Sequence, residues 1–375
     1  MSVPASSRAI IDLGAYLHNL GVVRRFAGPQ AGIIAVLKAN AYGHGAVALG
    51  QTAAAAGARM LGVATIEEGA ILRQAGIEAP ILVMVQPAPD ALGAILEYNL
   101  VLTVGDAGTA QRLGAIAQRT HRVASVHCKV DTGMGRQGFD VETAAEEMML
   151  IARTPNIDIV GIATHFPAAE KVDDTFAINQ IKQFRQLLKN LDKQGVPYES
   201  AHAANSAAIV NYQGAIFDMV RPGLMTYGVW PAEKPPERPL LRPVMRWESQ
   251  IVQVRDIKAG ASIGYGRTYI APRAMRTAVV PVGYADGYRY SLSNHGEVLV
   301  RGRRCHVRGS VCMDQIVVDV TSIPEARPGD TVTLIGNDGT EAVTVEEMAK
   351  RAGTIPYDIL TGIGHRVRRE YLSAQ

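Results

Sequence analysis

The chain is poor in cysteine, in aromatic residues and in charge imbalance, and each shortage removes a class of function. Its three cysteines, Cys128, Cys305 and Cys312, are odd in number and show no Cys-x-x-Cys spacing. Reduced thiols are expected, rather than a disulfide framework or a zinc site. Phe, Trp and Tyr make up only 6% of the 375 residues, and 38 Lys and Arg against 35 Asp and Glu leave a net charge of +3. No basic block or basic-aromatic interleaving stands out, so nucleic acid is not the expected partner. No uninterrupted apolar run is long enough to span a bilayer, and Met1 to Arg8 lacks an apolar core of signal-peptide length. The expectation is a cytoplasmic protein with no membrane partner and no metal site.

What is present is a chain of ordinary globular texture, 47% hydrophobic and 19% charged. That length and composition suit one large domain and a smaller one. From Ile33 to about Gly223, short apolar runs alternate with helical patterns. The runs are GIIAVL, MLGVAT, PILVMV, NLVLTV, VASVHCKV, IDIVGIATH, YESAHAA and FDMVRPG. Apolar residues at helical spacing fill Thr65 to Ala75 and Thr175 to Gln194. Eight strands alternating with helices predict an α/β fold, a (β/α)8 TIM barrel, over residues 1–239; a doubly wound sheet is the alternative. Pro231 to Pro239 reads as a linker. Beyond it, Ser249–Val254, Thr277–Val282, Val298–Val300, Gln315–Val320 and Thr331–Ile335 predict a mostly β domain over 240–375. One helix is predicted there, from Val345 to Arg351, with Thr344 and Glu347 spaced as a capping box.

Lys38 ends the first apolar run, in VLKANAYGHG. The C-terminal ends of barrel strands form the mouth where active sites are built. A lysine at a strand end ordinarily snorkels to water. Desolvated, it has a lowered pKa and can form a Schiff base with an aldehyde. In Val123–Asp131, Ser125, His127, Lys129 and Asp131 share one face, and Val126, Cys128 and Val130 the other. The polar face then points into the barrel, with Lys129 and Asp131 at its mouth. DTGMGR follows and carries Arg136. Gly161, Ala163 and His165 share a face, so the His165 imidazole can stack on an aromatic ring. Ala203-Ala204-Asn205-Ser206 and Arg221-Pro222-Gly223-Leu224 end the last two strands, where such barrels often hold phosphate. A lysine at the first strand and a phosphate cradle at the last two suggest pyridoxal 5'-phosphate.

VLKANAYGHG, HCKVDTGMGR, THF, ANS, RPGLMTYG, SIGYGRTY, VGYADGY and VCMDQ together resemble the alanine racemase family, in family order, over essentially the whole chain. The resemblance implies interconversion of L-alanine and D-alanine. It makes Lys38 the Schiff-base lysine and one of two catalytic bases, with Tyr265 the second, acting from the opposite face. Arg221 is implied beside the cofactor's pyridine nitrogen and His165 beside its ring. Tyr42, Asn205, Ser206, Gly223, Leu224 and Tyr357 are implied in cofactor binding, and Arg136 with the Met313 backbone in holding the substrate carboxylate. It also implies a homodimer in which the β domain of one subunit supplies Tyr265 and Met313 to the other.

Lys129 carries a further expectation. Two cations about 4 Å apart repel by about 4 kcal/mol at an effective dielectric near 20. A buried Lys129 beside Arg136 is therefore expected to lose its proton and take up carbon dioxide as a carbamate, as family members with lysine at this position do. Asp131, or a bound anion, is the alternative partner of Arg136. Pro167, Ala168, Ala169 and Glu170, and the Arg308-Gly309-Ser310-Val311 segment, depart from the family pattern at the substrate entryway. Three other functions share much of this pattern: a serine or broad-specificity amino acid racemase, a pyridoxal-phosphate-binding barrel without turnover, and a decarboxylase of the same architecture.

Overall fold

Each of the eight apolar runs contains a strand, in a computed structural model that describes residues 6–236 and 240–373. The strands are Gly32–Val36, Met60–Val63, Ile81–Val83, Val101–Val104, Ala124–Asp131, Ile157–Ala163, Ala201–Asn205 and Met219–Arg221. All pair in parallel, and the eighth returns to the first, with Met219 opposite Gly32. The sheet is thus a closed barrel, which removes its edges. The doubly wound alternative, an open sheet, does not occur. The two helices predicted by periodicity occur as Ile66–Gln74 and Thr175–Gln194. The first starts in a capping box between Thr65 and Glu68. The second is capped by Asp174 and closed by Gly195 at φ 69°.

The barrel interior is divided by chemistry. Ile34, Met60, Leu82 and Met219 form a buried apolar cluster from the first, second, third and eighth strands. Burying each is worth roughly 1.5–3 kcal/mol. The fifth, seventh and eighth strands instead bury His127, Lys129, His202 and Arg221. Two register irregularities fall in this polar half, one between Val126 and His127 and one between Met219 and Arg221. Bulges re-aim side chains, and here they occur beside the two ends of the polar cluster.

The chain forms two compact units. The barrel unit holds residues 17–41 and 46–241. The second unit holds 1–16, 42–45 and 242–375, so a single boundary at residue 239 does not describe the division. The physical reason is strand pairing: Ser7–Asp12 lies antiparallel to Met245–Gln250 and parallel to Arg368–Leu372. Trp247, fully buried, donates its indole N–H to Ser7 Oγ at 2.7 Å. Residues 237–239 of the expected linker lie outside the described residues.

The second unit is mostly β. The predicted run Ser249–Val254 is divided between two strands, Met245–Gln250 and Gln253–Ile257, in different sheets. The other four runs occur as Met275–Val280, Glu297–Val300, Ile316–Asp319 and Thr331–Asp338. The predicted helix occurs as Val345–Ala352, with Thr344 Oγ1 accepting the Glu347 N–H. Its capping box is half formed, because Arg304 and Arg351 engage the Glu347 carboxylate.

Candidate active site

Lys38 follows the first barrel strand and opens four residues of left-handed backbone. Ala39, Asn40, Ala41 and Tyr42 all have φ between 51° and 53°. Such backbone costs roughly 1–2 kcal/mol per L-residue, so the surroundings must over-determine it. Glu68 Oε1 accepts the Ala39 N–H at 2.6 Å, Asn40 Oδ1 accepts that of Ala46 at 2.8 Å, and the Leu37 carbonyl accepts that of Ala41 at 2.6 Å. Lys38 itself lies just beyond the end of the first strand and is exposed to solvent. Its amine is still held below the ordinary lysine range, first by desolvation, then by Arg136 and Arg221, with Glu68 opposing.

Lys129, buried near the end of the fifth strand, is drawn down to about 8. Desolvation is the main cause, followed by Arg136 and Arg221, with Asp131 opposing and Lys38 adding to the shift. Asp131 does not serve as the ion partner of Arg136. Its carboxylate accepts the backbone N–H groups of Gly133 at 2.9 Å, Met134 at 2.6 Å and Arg136 at 3.0 Å. Desolvation pushes that carboxyl up, but the N–H bonds outweigh it and keep it below the usual carboxylate range. Four cations, Lys38, Lys129, Arg136 and Arg221, thus act on one region of the barrel mouth, which favours a guest with several negative charges.

Arg221, at the end of the eighth strand, is buried without a carboxylate partner. Its Nη1 approaches His202 Nδ1 at 2.5 Å and donates to the His202 carbonyl at 3.1 Å. Its Nη2 donates to the carbonyls of Thr164 at 2.7 Å and Ala203 at 2.9 Å, and lies 3.1 Å from His165 Nδ1. The terminal nitrogens are therefore satisfied by neutral acceptors, and none of these acceptors takes the Nε–H. Burial lowers Arg221 only to about 10, so it stays cationic at neutral pH. His165 is depressed to about 2, by desolvation first and then by Arg221, Lys129, Arg136 and Lys38. It is a neutral imidazole.

Ser206 Oγ accepts the N–H groups of Gly223 at 2.8 Å and Met225 at 3.3 Å, leaving the hydroxyl hydrogen for another acceptor. The Gly223 N–H is thus engaged within the barrel unit. Asn205 uses its side chain structurally: Oδ1 caps the following helix through the Ala208 N–H, and Nδ2 donates to the Phe166 carbonyl. Leu224 starts the 3-10 turn after Gly223. These residues bring the ends of the last two strands together. A buried lysine-bearing cationic mouth, a neutral imidazole and a guanidinium with a spare Nε–H fit a phosphorylated heteroaromatic aldehyde.

The remaining expected residues lie in the second unit. The Tyr42 and Tyr357 rings have centroids 5.7 Å apart. Burial, followed by Tyr357, raises the Tyr42 phenol above its ordinary value. Tyr265 is 77% exposed on a short turn between Gly264 and Gly266, both at positive φ. Ser310 Oγ donates to the Tyr265 carbonyl at 2.9 Å. Met313 is also exposed, and its carbonyl accepts the Ala285 N–H at 3.0 Å. A Cβ on Gly283 would lie 2.3 Å from the Cys312 and Met313 carbonyl oxygens, so only glycine permits this approach. Sequence reasoning missed Glu68 and His202. Glu68 was legible as a capping-box residue; His202 alternates with alanines in a short strand and offers little signal.

No group of His, Cys, Asp and Glu among the described residues has the arrangement of a metal site, and no helix among them is long and apolar enough to cross a membrane. The family model for the alanine racemase N-terminal domain matches residues 11–231, and that for the alanine racemase C-terminal domain matches 244–371. An alanine racemase of Halothermothrix orenii is 42% identical over 363 residues, 97% of this chain and 96% of the relative. The structure of an alanine racemase of Clostridium difficile superposes with a TM-score of 0.95 at 34% identity, covering 99% of this chain and 97% of that one. Another, from Bartonella henselae with covalently bound pyridoxal phosphate, gives a TM-score of 0.86 at 30% identity, covering 98% and 100%.

Proposed function

The chain belongs to the alanine racemase family, and we propose that it divides the interconversion of L-alanine and D-alanine between two bases, Lys38 and Tyr265. The observation that carries the reading is Lys38 itself: a strand-end amine depressed by desolvation and neighbouring cations. Pyridoxal 5'-phosphate, when bound, withdraws electrons from the amino acid and makes its Cα–H acidic. The chain's residues bind and orient it. Lys38 holds the aldehyde carbon. Ser206 offers its hydroxyl to the phosphate, with the loop at Gly223 and Leu224, and with Tyr42 and Tyr357. Asn205 keeps Ser206 in place by capping its helix. His165 stacks against the ring.

Racemisation removes a proton from one face of Cα and returns one to the other, so one base per face suffices. Lys38 Nζ moves the proton on one face and Tyr265 Oη of the partner subunit on the other. Arg221 beside the pyridine nitrogen discourages a second positive charge there, which limits protonation at the wrong carbon. Arg136 and the Met313 N–H of the partner subunit hold the substrate carboxylate. Composite sites make the active form a homodimer, in a cytoplasmic setting.

Lys129 completes the carboxylate site. Its neutral amine attacks carbon dioxide, the N–C bond forms, and one proton leaves to solvent. The resulting carbamate gives the otherwise unpaired Arg136 guanidinium an anionic partner. Support comes from the depression of Lys129 to about 8 and from the engagement of Asp131 by backbone N–H groups.

The test is polarimetry of L-alanine with the protein loaded with pyridoxal phosphate. Optical rotation should decay to zero, and Lys38→Ala should stop the decay. Release of carbon dioxide, with achiral ethylamine in place of D-alanine as the product, would instead establish a decarboxylase.

A further inference from the structure

The polar half of the barrel contains a line of three side chains that the proton transfers do not use. His127 Nδ1 lies 2.7 Å from His202 Nε2, and His202 Nδ1 lies 2.5 Å from Arg221 Nη1. Both rings are essentially buried, 1% and 2% exposed. A neutral imidazole has one N–H and one lone pair. Arg221 can only donate, so His202 must present its lone pair at Nδ1. Its proton then resides on Nε2 and points at His127, which must accept through Nδ1. The other tautomer of His202 would set an N–H against a guanidinium N–H in a site without water-like screening.

We propose that His127 is a positioning residue for Arg221, acting through His202: it accepts the His202 Nε2–H, holds that ring in the tautomer that can accept from Arg221, and so keeps the guanidinium turned with its Nε–H available. The inference rests on the assignment of Arg221 to the cofactor ring. Gly161, on the neighbouring sixth strand, gives His127 its space: a Cβ there would lie 2.5 Å from His127 Cε1 and 2.6 Å from Nδ1. The register irregularity leaves Val160 of the sixth strand unpaired and so sets Gly161 directly opposite His127. Neutrality of both rings agrees with the arrangement. Burial, with Arg221 next, takes His127 to about 3, and the same causes put His202 far below its ordinary value.

The experiment has two arms. Neutron diffraction on the deuterated, cofactor-loaded protein locates the ring protons directly, and is independent of any activity. Deuterium on His202 Nε2, with none on His202 Nδ1, supports the proposal; deuterium on His202 Nδ1 overturns it. The second arm compares His127→Leu, which removes the acceptor, with His127→Asn, whose Oδ1 can replace it. In the racemase assay His127→Leu should lower kcat by about tenfold, a usual loss for a residue supporting a functional group from behind, with KM for alanine little changed and an altered absorbance of the bound cofactor. His127→Asn should recover most of kcat and the absorbance. Equal losses in both variants, or a loss confined to KM, overturn the proposal. Should His127→Leu fail to fold, the neutron map and His127→Asn still decide it.

Discussion

The carboxylate of Asp131 accepts the backbone N–H of Arg136 at 3.0 Å and makes no ion pair with its guanidinium. Asp131 therefore shapes the loop without neutralising the arginine. Lys129 carbamylation follows as the expected remedy. Intact-mass analysis under bicarbonate, in mild native conditions, should show the mass of one carbon dioxide on Lys129. Lys129→Ala should lose at least about tenfold in activity, a cost of ~1.4 kcal/mol, and recover part of it with added acetate. Full activity in Lys129→Ala without any response to acetate would remove the carbamate from the site.

Lys38 should bond pyridoxal phosphate at a pH where ordinary lysines are fully protonated. Only the neutral amine attacks an aldehyde, so the rate of cofactor binding to the apo-protein should rise with pH through a midpoint below the ordinary lysine value of 10.5. Glu68 opposes the depression of Lys38. Glu68→Gln should move the midpoint to lower pH. A shift to higher pH would contradict this account. Borohydride reduction followed by peptide mapping should place the cofactor on Lys38.

Three neutral histidines make the barrel sensitive to acid. His127, His165 and His202 all fall below their ordinary value of 6.5 in the folded state. Unfolding lets each regain that value and bind a proton. Their contribution to stability is complete above the unfolded value of 6.5 and is lost as pH falls below it, each at about 1.4 kcal/mol per pH unit while the folded ring stays neutral. Calorimetry of the apo-protein in buffers of different ionisation enthalpy at about pH 5 should find an uptake of about three protons on unfolding from these rings. Uptake near zero would mean that the rings are charged in the folded protein.

The first four barrel strands were legible as short apolar runs, since residues buried on both faces leave a nearly uninterrupted signal, and the fifth was legible from the alternation of Ser125, His127, Lys129 and Asp131 with Val126, Cys128 and Val130. The long helix Thr175–Gln194 was legible from its period alone. The partner of Ser7–Asp12 was not, since pairing across more than two hundred residues leaves no local mark. The placement of candidate site residues was legible where a side chain ends a strand, as at Lys38 and Arg221. Its supporting layer was not. His202 and the left-handed turn at Ala39–Tyr42 depend on contacts made elsewhere, and the turn contains no glycine to announce a positive φ.

A homodimer with shared sites predicts complementation. Lys38→Ala and Tyr265→Ala, each inactive alone, should regain some activity when mixed under subunit exchange. One site in the heterodimer would combine an intact Lys38 with an intact Tyr265. Heterodimers verified by differential tags but without activity would place both bases in one subunit.

The four left-handed residues after Lys38 together represent roughly 4–8 kcal/mol of unfavourable backbone, comparable to the net stability of a whole domain, ~5–15 kcal/mol. The chain passes from one compact unit to the other within this turn, between Ala41 and Tyr42. A segment so costly exists only while Glu68, Asn40 and Leu37 all hold it. The turn that presents Lys38 is therefore tied to Glu68, on the helix that follows the second barrel strand, and loss of that one carboxylate would release the Ala39 N–H.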